Sequence, residues 1–250
     1  MLPSPSRWCP AWAQRTLLEN ADSALNRKDL ENAECLYRRV LAGERVAGAA
    51  SPRSAALNGL AARALSARPT DVRLGVDASE AVVKRLDAAG ELARYRILHF
   101  ATHRVLAGEL DGASEPGLIL TPPRIGSAEN DGFLSASEVA SLKLDANMVV
   151  LSAYNAAAGN VRSAEALTGL ARAFIYAQAR SLLVSHWAVY SDATVRLVTR
   201  KMRELGKDRA LPRAEALKRA MNALIASGSE EAYPFYWAPF VVVGEGGAGR

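Results

Sequence analysis

Residues 147–155 read NMVVLSAYN, and the first seven of them, Asn147 to Ala153, form the strongest strand signal in the chain. A short, almost wholly apolar run of this kind fits a strand buried on both faces. Working outward, Arg96 to Ala101 (RILHFA), Ser181 to Ser185 (SLLVS) and Phe240 to Val243 (FVVV) share its character. Between these runs lie helical patterns. One has Val82, Val83, Leu86 and Ala89 on its inner face, and another Leu167, Leu170, Ala171 and Phe174. A third carries Val195, Val198, Met202 and Leu205, and a fourth Leu217, Met221, Leu224 and Ile225. Apolar strands alternating with amphipathic helices imply an α/β fold with a mainly parallel sheet covered on both faces.

The punctuation agrees with this division. Asp77-Ala78-Ser79-Glu80 has the form of a capping box at a helix start, and Gly90 is placed to end that helix. Ser135-x-x-Glu138 is a second capping box. Arg104 to Gly132 reads as a long loop with one strand-like piece, Leu118-Ile119-Leu120. The first third of the chain reads as helices alone. Leu17, Leu18, Ala21 and Leu25 share a face; Ala33, Leu36, Tyr37, Val40 and Leu41 share the next; Leu57, Leu60, Ala61, Ala64 and Leu65 share a third. This part resembles a tetratricopeptide repeat of the longer kind, with an ordinary helical hairpin as the alternative. It falls short of the roughly three units that a free-standing solenoid needs. The expected division is a helical segment over 1–68 and an α/β domain over 69–250, the break falling at Pro69-Thr70-Asp71.

Composition narrows the function classes. The chain has 250 residues, 50% of them hydrophobic and 23% charged, which suits a folded domain with a sizeable core. Its formal net charge is +5, spread as scattered arginines rather than gathered in a block, so no nucleic-acid partner is expected. Two cysteines, Cys9 and Cys35, make no disulfide framework, and three histidines offer no zinc spacing. No cofactor and no metal are expected. Met1 to Ala13 has no signal-peptide apolar run, and nothing approaches about 18 consecutive apolar residues. The expectation is a soluble cytoplasmic protein without a membrane partner. Gly244 to Gly249 fits G-x-G-x-x-G in form, but only Arg250 follows it, so no helix opens there to hold a dinucleotide.

In a parallel sheet, catalytic and binding groups gather beyond the carboxyl ends of the strands. That rule selects Thr102-His103 and Tyr154-Asn155. A histidine at one strand end with a nucleophile position about 50 residues later is the caspase spacing. Several longer blocks extend the likeness: HFATH (99–103), DGFLSASEVASLKL (131–144), VVLSAYNAAAG (149–159), EALTGLARAFIYAQARSLLVSHWAV (165–189) and YWAPFVVVGE (236–245). From about Gly75 to Gly246 the chain resembles a CHAT domain, a caspase-like cysteine-peptidase family often found beside tetratricopeptide repeats. The resemblance implies a three-layer α/β/α fold and a Cys/His dyad for peptide-bond hydrolysis, with His103 at the histidine position. It also implies further strands before the histidine strand, which this chain has little room for, leaving a sheet edge to be covered by a partner or a dimer.

The departures fall on the chemistry. Tyr154 stands where the family has its cysteine, and Ala156 where it has threonine. Arg104 replaces the glycine after the histidine, whose backbone N–H helps hold the oxyanion, and its bulk would crowd a substrate. Gln178 replaces a glycine in AGARS. A phenol, with a pKa of about 10 against about 8.5 for a thiol, is a poor substitute nucleophile, and neither Cys9 nor Cys35 matches the position. Ser152 shares the strand face of Tyr154 and is the one alternative nucleophile in the chain. Glu138, Glu165 and Asp192 are candidates to meet a basic substrate side chain. His99 reads as a core residue, and His186 as packing near Trp187. The expected function is that of an inactive peptidase homologue, with His103 and Tyr154 at the catalytic positions, Tyr154 at that of the lost nucleophile, and Arg104, Ser152, Asn155 and Gln178 binding a peptide or partner protein. The expected partners include a second copy or a CHAT relative. Two other classes stay open: a hydrolase using His103 with Ser152 or a cysteine from another chain, and a scaffold that works through its helical segment.

Overall fold

The computed structural model describes residues 71–108, 113–127, 129–151, 162–187 and 191–248. The helical segment read over 1–68 lies outside these residues. The strands are β1 (Ile97–Phe100), β2 (His103–Val105), β3 (Gly117–Ile119), β4 (Phe133–Ser135), β5 (Met148–Leu151), β6 (Ser181–Ser185) and β7 (Phe240–Gly244). The helices are α1 (Glu80–Ala88), α2 (Ala136–Ser141), α3 (Arg162–Tyr176), α4 (Ser191–Lys207), α5 (Arg213–Ile225) and the single turn α6 (Pro234–Trp237).

Among the described residues the main sheet has four strands in the order β1-β5-β6-β7. β1 runs parallel to β5, and β5 parallel to β6, as the apolar runs predict. β7 is antiparallel to β6, pairing Phe240 with Ser185 and Gly244 with Ser181. The connection explains its direction. A single crossover helix returns the chain to the end where the last strand began, as α3 does between β5 and β6. Two long helices, α4 and α5, instead return it to the end where β6 finished, so β7 runs back down.

β5 shows why the sheet is covered twice. Its four residues are at most 1% exposed, and their side chains alternate between two cores. Met148 and Val150 join Leu183, Val195, Val198, Met202, Leu217 and Leu224, contributed largely by α4 and α5. Val149 and Leu151 join Leu182, Val184, Leu170, Phe174, Val139 and Leu118 on the opposite face. Burying such side chains stabilises by about 1.5–3 kcal/mol each. The result is a mixed α/β domain with a mostly parallel sheet flanked by helices.

The stretch read as a loop from Arg104 to Gly132 differs from that expectation. β2, β3 and β4 form a separate antiparallel sheet in the order β2-β3-β4. The strand-like piece at 118–120 belongs here rather than to the main sheet. Strands of three residues are too short to display a period, so only their pairing reveals them.

The two capping boxes part company. At α2 the Ser135 hydroxyl accepts the Glu138 N–H while the Glu138 carboxylate accepts the Ser135 N–H, a complete box. At α1 the box does not form, because Gly75–Asp77 makes a 3-10 turn and Ser79 is the residue before the helix. Glu80 is used otherwise. It is 1% exposed, accepts the Asp131 and Gly132 N–H groups at 3.0 and 2.8 Å, and takes Lys84 Nζ at 2.6 Å. Lys84 also reaches Glu138 at 2.7 Å, tying α1 to the start of α2. Gly90 ends α1 as expected: with φ at 68° it sits in the left-handed region, the Gly90 N–H bonds to the Asp87 carbonyl, and the Glu91 N–H bonds to the Leu86 carbonyl.

Candidate functional site

Parallel pairing brings the carboxyl ends of β1, β5 and β6 to one edge of the sheet. Phe100 lies beside Leu151, so the chain leaves both strands at the same level. From β1 it crosses through Ala101 and Thr102 into β2, where the Thr102 hydroxyl donates to the Ile119 carbonyl. That bond and the pairing of His103 with Ile119 hold the start of β2 against β3. His103 is therefore the first residue of a strand, three positions past β1, and its side chain is exposed.

Arg104, the next residue, points the opposite way and is 3% exposed. Its Nη1 donates to the carbonyl oxygen of Ser185, the last residue of β6, at 3.5 Å. This side chain therefore reaches the carboxyl end of β6, which is separated from β1 in the sheet by β5. Thus β2 presents an imidazole on one face and buries a guanidinium on the other.

Ser152, Tyr154 and Asn155, the residues that follow β5, lie outside the described residues. The side chains of Glu165 and Asp192 also lie outside them. Gln178, expected among the binding residues, is at the far end of the sheet. It follows α3 and precedes β6, with φ at 72°; the Gln178 N–H bonds to the Ile175 carbonyl, and the Ala179 N–H to the Phe174 carbonyl. This is the same helix-ending motif as at Gly90, here carried by a non-glycine residue, so the position serves the backbone and is not brought together with His103. Glu138 is likewise committed elsewhere, to its capping box and to Lys84. Burial works against its ionisation, but the hydrogen bonds from Lys84 and Ser135 outweigh that and hold its carboxyl below the usual value.

The remaining histidines separate clearly. Burial pushes the His99 imidazole on β1 down to about 4, so it is neutral near pH 7, in keeping with a core role. His186 is exposed, not packed; its N–H bonds to the Pro239 carbonyl where β7 begins. Trp187, next to it, is 37% exposed, and its indole Nε1 donates to the Phe235 carbonyl at 3.4 Å.

Sequence reasoning missed three features. One is the aromatic rim of Trp187, Tyr233 and Phe235 beside this edge, signalled by the run YPFYW at 233–237. Another is Lys201, fully buried on the inner face of α4, which its spacing with Val198 and Met202 already placed there. The last is Arg213, 2% exposed, whose Nε donates to the Glu245 carbonyl at 3.0 Å. Among the described residues no group of three or more His, Cys, Asp or Glu is placed to hold a metal ion. Among them, too, no helix is long and apolar enough to cross a membrane.

A family model described as the CHAT domain matches residues 18–245, a span that begins within the segment read as helical repeats and runs through β7. No match is found among curated proteins. The matched span covers most of the chain, and the mostly parallel sheet with its flanking helices is consistent with it: the chain belongs to the CHAT domain family, a caspase-like peptidase family.

Proposed function

We propose that this CHAT protein is an inactive peptidase homologue that binds a peptide or a partner protein at the carboxyl edge of its main sheet. Arg104 is the observation that carries the reading. At the position after the histidine, where the resemblance implies a glycine, this chain has a long cationic side chain that reaches the carboxyl end of β6. An arginine in place of the glycine departs from the family pattern at the position that the resemblance gives to an oxyanion donor. The sequence adds that position 154 holds a tyrosine, so that position offers no thiol for a histidine base to deprotonate. What the edge retains is suited to binding: an exposed imidazole at His103, an exposed imidazole at His186 and the aromatic rim beside it. The bound partner is a free peptide, a second copy of this chain or a CHAT relative.

The test is covalent labelling by an electrophilic peptide probe. The natural chain stays unlabelled, whereas the double variant Tyr154→Cys with Arg104→Gly becomes labelled in a manner lost on adding His103→Ala. Labelling of the natural chain that disappears with His103→Ala or Ser152→Ala overturns the proposal in favour of a serine hydrolase.

A further inference from the structure

The aromatic rim at the end of β6 is a connected arrangement. The Trp187 indole donates to the Phe235 carbonyl, the Phe235 and Tyr236 rings meet edge to face with centroids 5.8 Å apart, and the Tyr236 hydroxyl donates to Glu230 Oε1 at 2.7 Å. Tyr233 and Phe235 are 68% and 51% exposed, and Glu230 is exposed as well. The shelf therefore runs from an indole, through phenyl and phenol rings, to a carboxylate.

Its chemistry selects by charge. Arg196 pairs with Glu231 at 3.0 Å, which cancels those two charges and leaves Glu230 as the net charge at the end of the shelf. The indole N–H is already engaged, so Trp187 offers a ring rather than a donor. Aromatic faces carry negative potential and attract cations, and a nearby carboxylate adds to that attraction. An acidic side chain meets repulsion from both. A guanidinium suits the shelf further, since it stacks flat on a ring while its methylene stem covers apolar surface.

We propose that this shelf takes an arginine or lysine side chain of a peptide lying along the carboxyl edge of the sheet. The inference rests on the peptide-binding reading above and adds the class of residue recognised.

An array of extended octapeptides, in which each position is varied in turn, tests it with the full chain. Arginine- and lysine-containing peptides are captured about fivefold to tenfold better than their glutamate counterparts. Glu230→Gln lowers that preference by about threefold and Trp187→Ala by about fivefold. Glu230→Gln keeps the circular-dichroism melt of the natural chain because Glu230 is exposed, and Trp187→Ala, whose indole is 37% exposed and bonds to the Phe235 carbonyl, is read at a temperature where its own melt shows it folded. Equal capture of basic and acidic peptides, or a preference untouched by both variants, overturns the shelf and leaves peptide binding standing. Capture of no peptide at all overturns both.

Discussion

Replacing Lys201 by methionine is expected to stabilise the protein. The lysine is 0% exposed on α4, its Nζ donates to Met148 Sδ on β5 at 2.8 Å, and no carboxylate pairs with it among the described residues. Burial, reinforced by the nearby Arg213 guanidinium, pushes its amine down to about 7. The fall from 10.5 to about 7, at about 1.36 kcal/mol per unit, corresponds to about 5 kcal/mol of folding free energy. Relaxation and water entry reduce such penalties, so a gain of about 2–4 kcal/mol at pH 7 is expected from Lys201→Met, which keeps the volume and removes the charge. Between about pH 7 and 10.5 the unfolded chain holds more protons on this amine than the folded chain does. Stability of the natural protein therefore rises with pH through that window. The advantage of the variant is full below about pH 7 and shrinks towards pH 10.5. Urea unfolding of both proteins between pH 6 and 10.5, followed by circular dichroism, gives the difference at each pH, and effects common to the two cancel. A variant no more stable than the natural chain at pH 7, or a difference that stays flat with pH, would refute the account of a buried amine without a counter-ion.

Three further outcomes follow from the same geometry. Glu80→Gln removes the charge that holds Lys84 and weakens the acceptor for two backbone N–H groups, so it costs about 1–3 kcal/mol in urea unfolding. Gln178→Gly relieves a side chain held at φ 72° and raises the urea midpoint by the equivalent of about 0.5–1 kcal/mol, since the left-handed strain relieved exceeds the entropy glycine adds to the unfolded chain. Ser135→Ala breaks a complete capping box and lowers stability by about 1 kcal/mol, seen as increased amide exchange in α2.

The main sheet was legible because each of its strands is a run of four or five residues with almost no polar interruption. A fully buried strand advertises itself in this way, and the helices between carried their period openly. The small sheet was not legible, since three-residue strands such as His103–Val105 contain too few positions for any pattern. The direction of β7 was hidden for another reason: it depends on the count of long helices before it, not on the apolar run FVVV. At the site, chain order alone fixes which residues follow strand ends, and His103 stands just past the carboxyl end of β1. The same logic excludes Gln178, which comes before β6 and therefore belongs to the other end. The fate of Arg104 depends on the β2–β3 pairing, which decides that its side chain points inward, and no local pattern carries that information.

The placement of Arg104 also bears on what its own side chain contributes to the fold. The cores on the two faces of the sheet are built from β5 residues 148–151 and their apolar partners, and Arg104 stands outside both. A buried arginine is a different matter, because its desolvation must be offset by acceptors. Here Nη1 meets the Ser185 carbonyl at 3.5 Å, a long and therefore weak bond for a charged donor. The Thr102–Ile119 bond and the packing of Leu118 and Leu134 also hold the small sheet on the main one. Arg104→Gly is accordingly expected to lower stability by no more than about 1–2 kcal/mol while opening the edge of the sheet. Thermal melts read the first effect, and probe labelling in the Tyr154→Cys background reads the second. A loss well beyond that range would assign the residue to the architecture and remove it from the site.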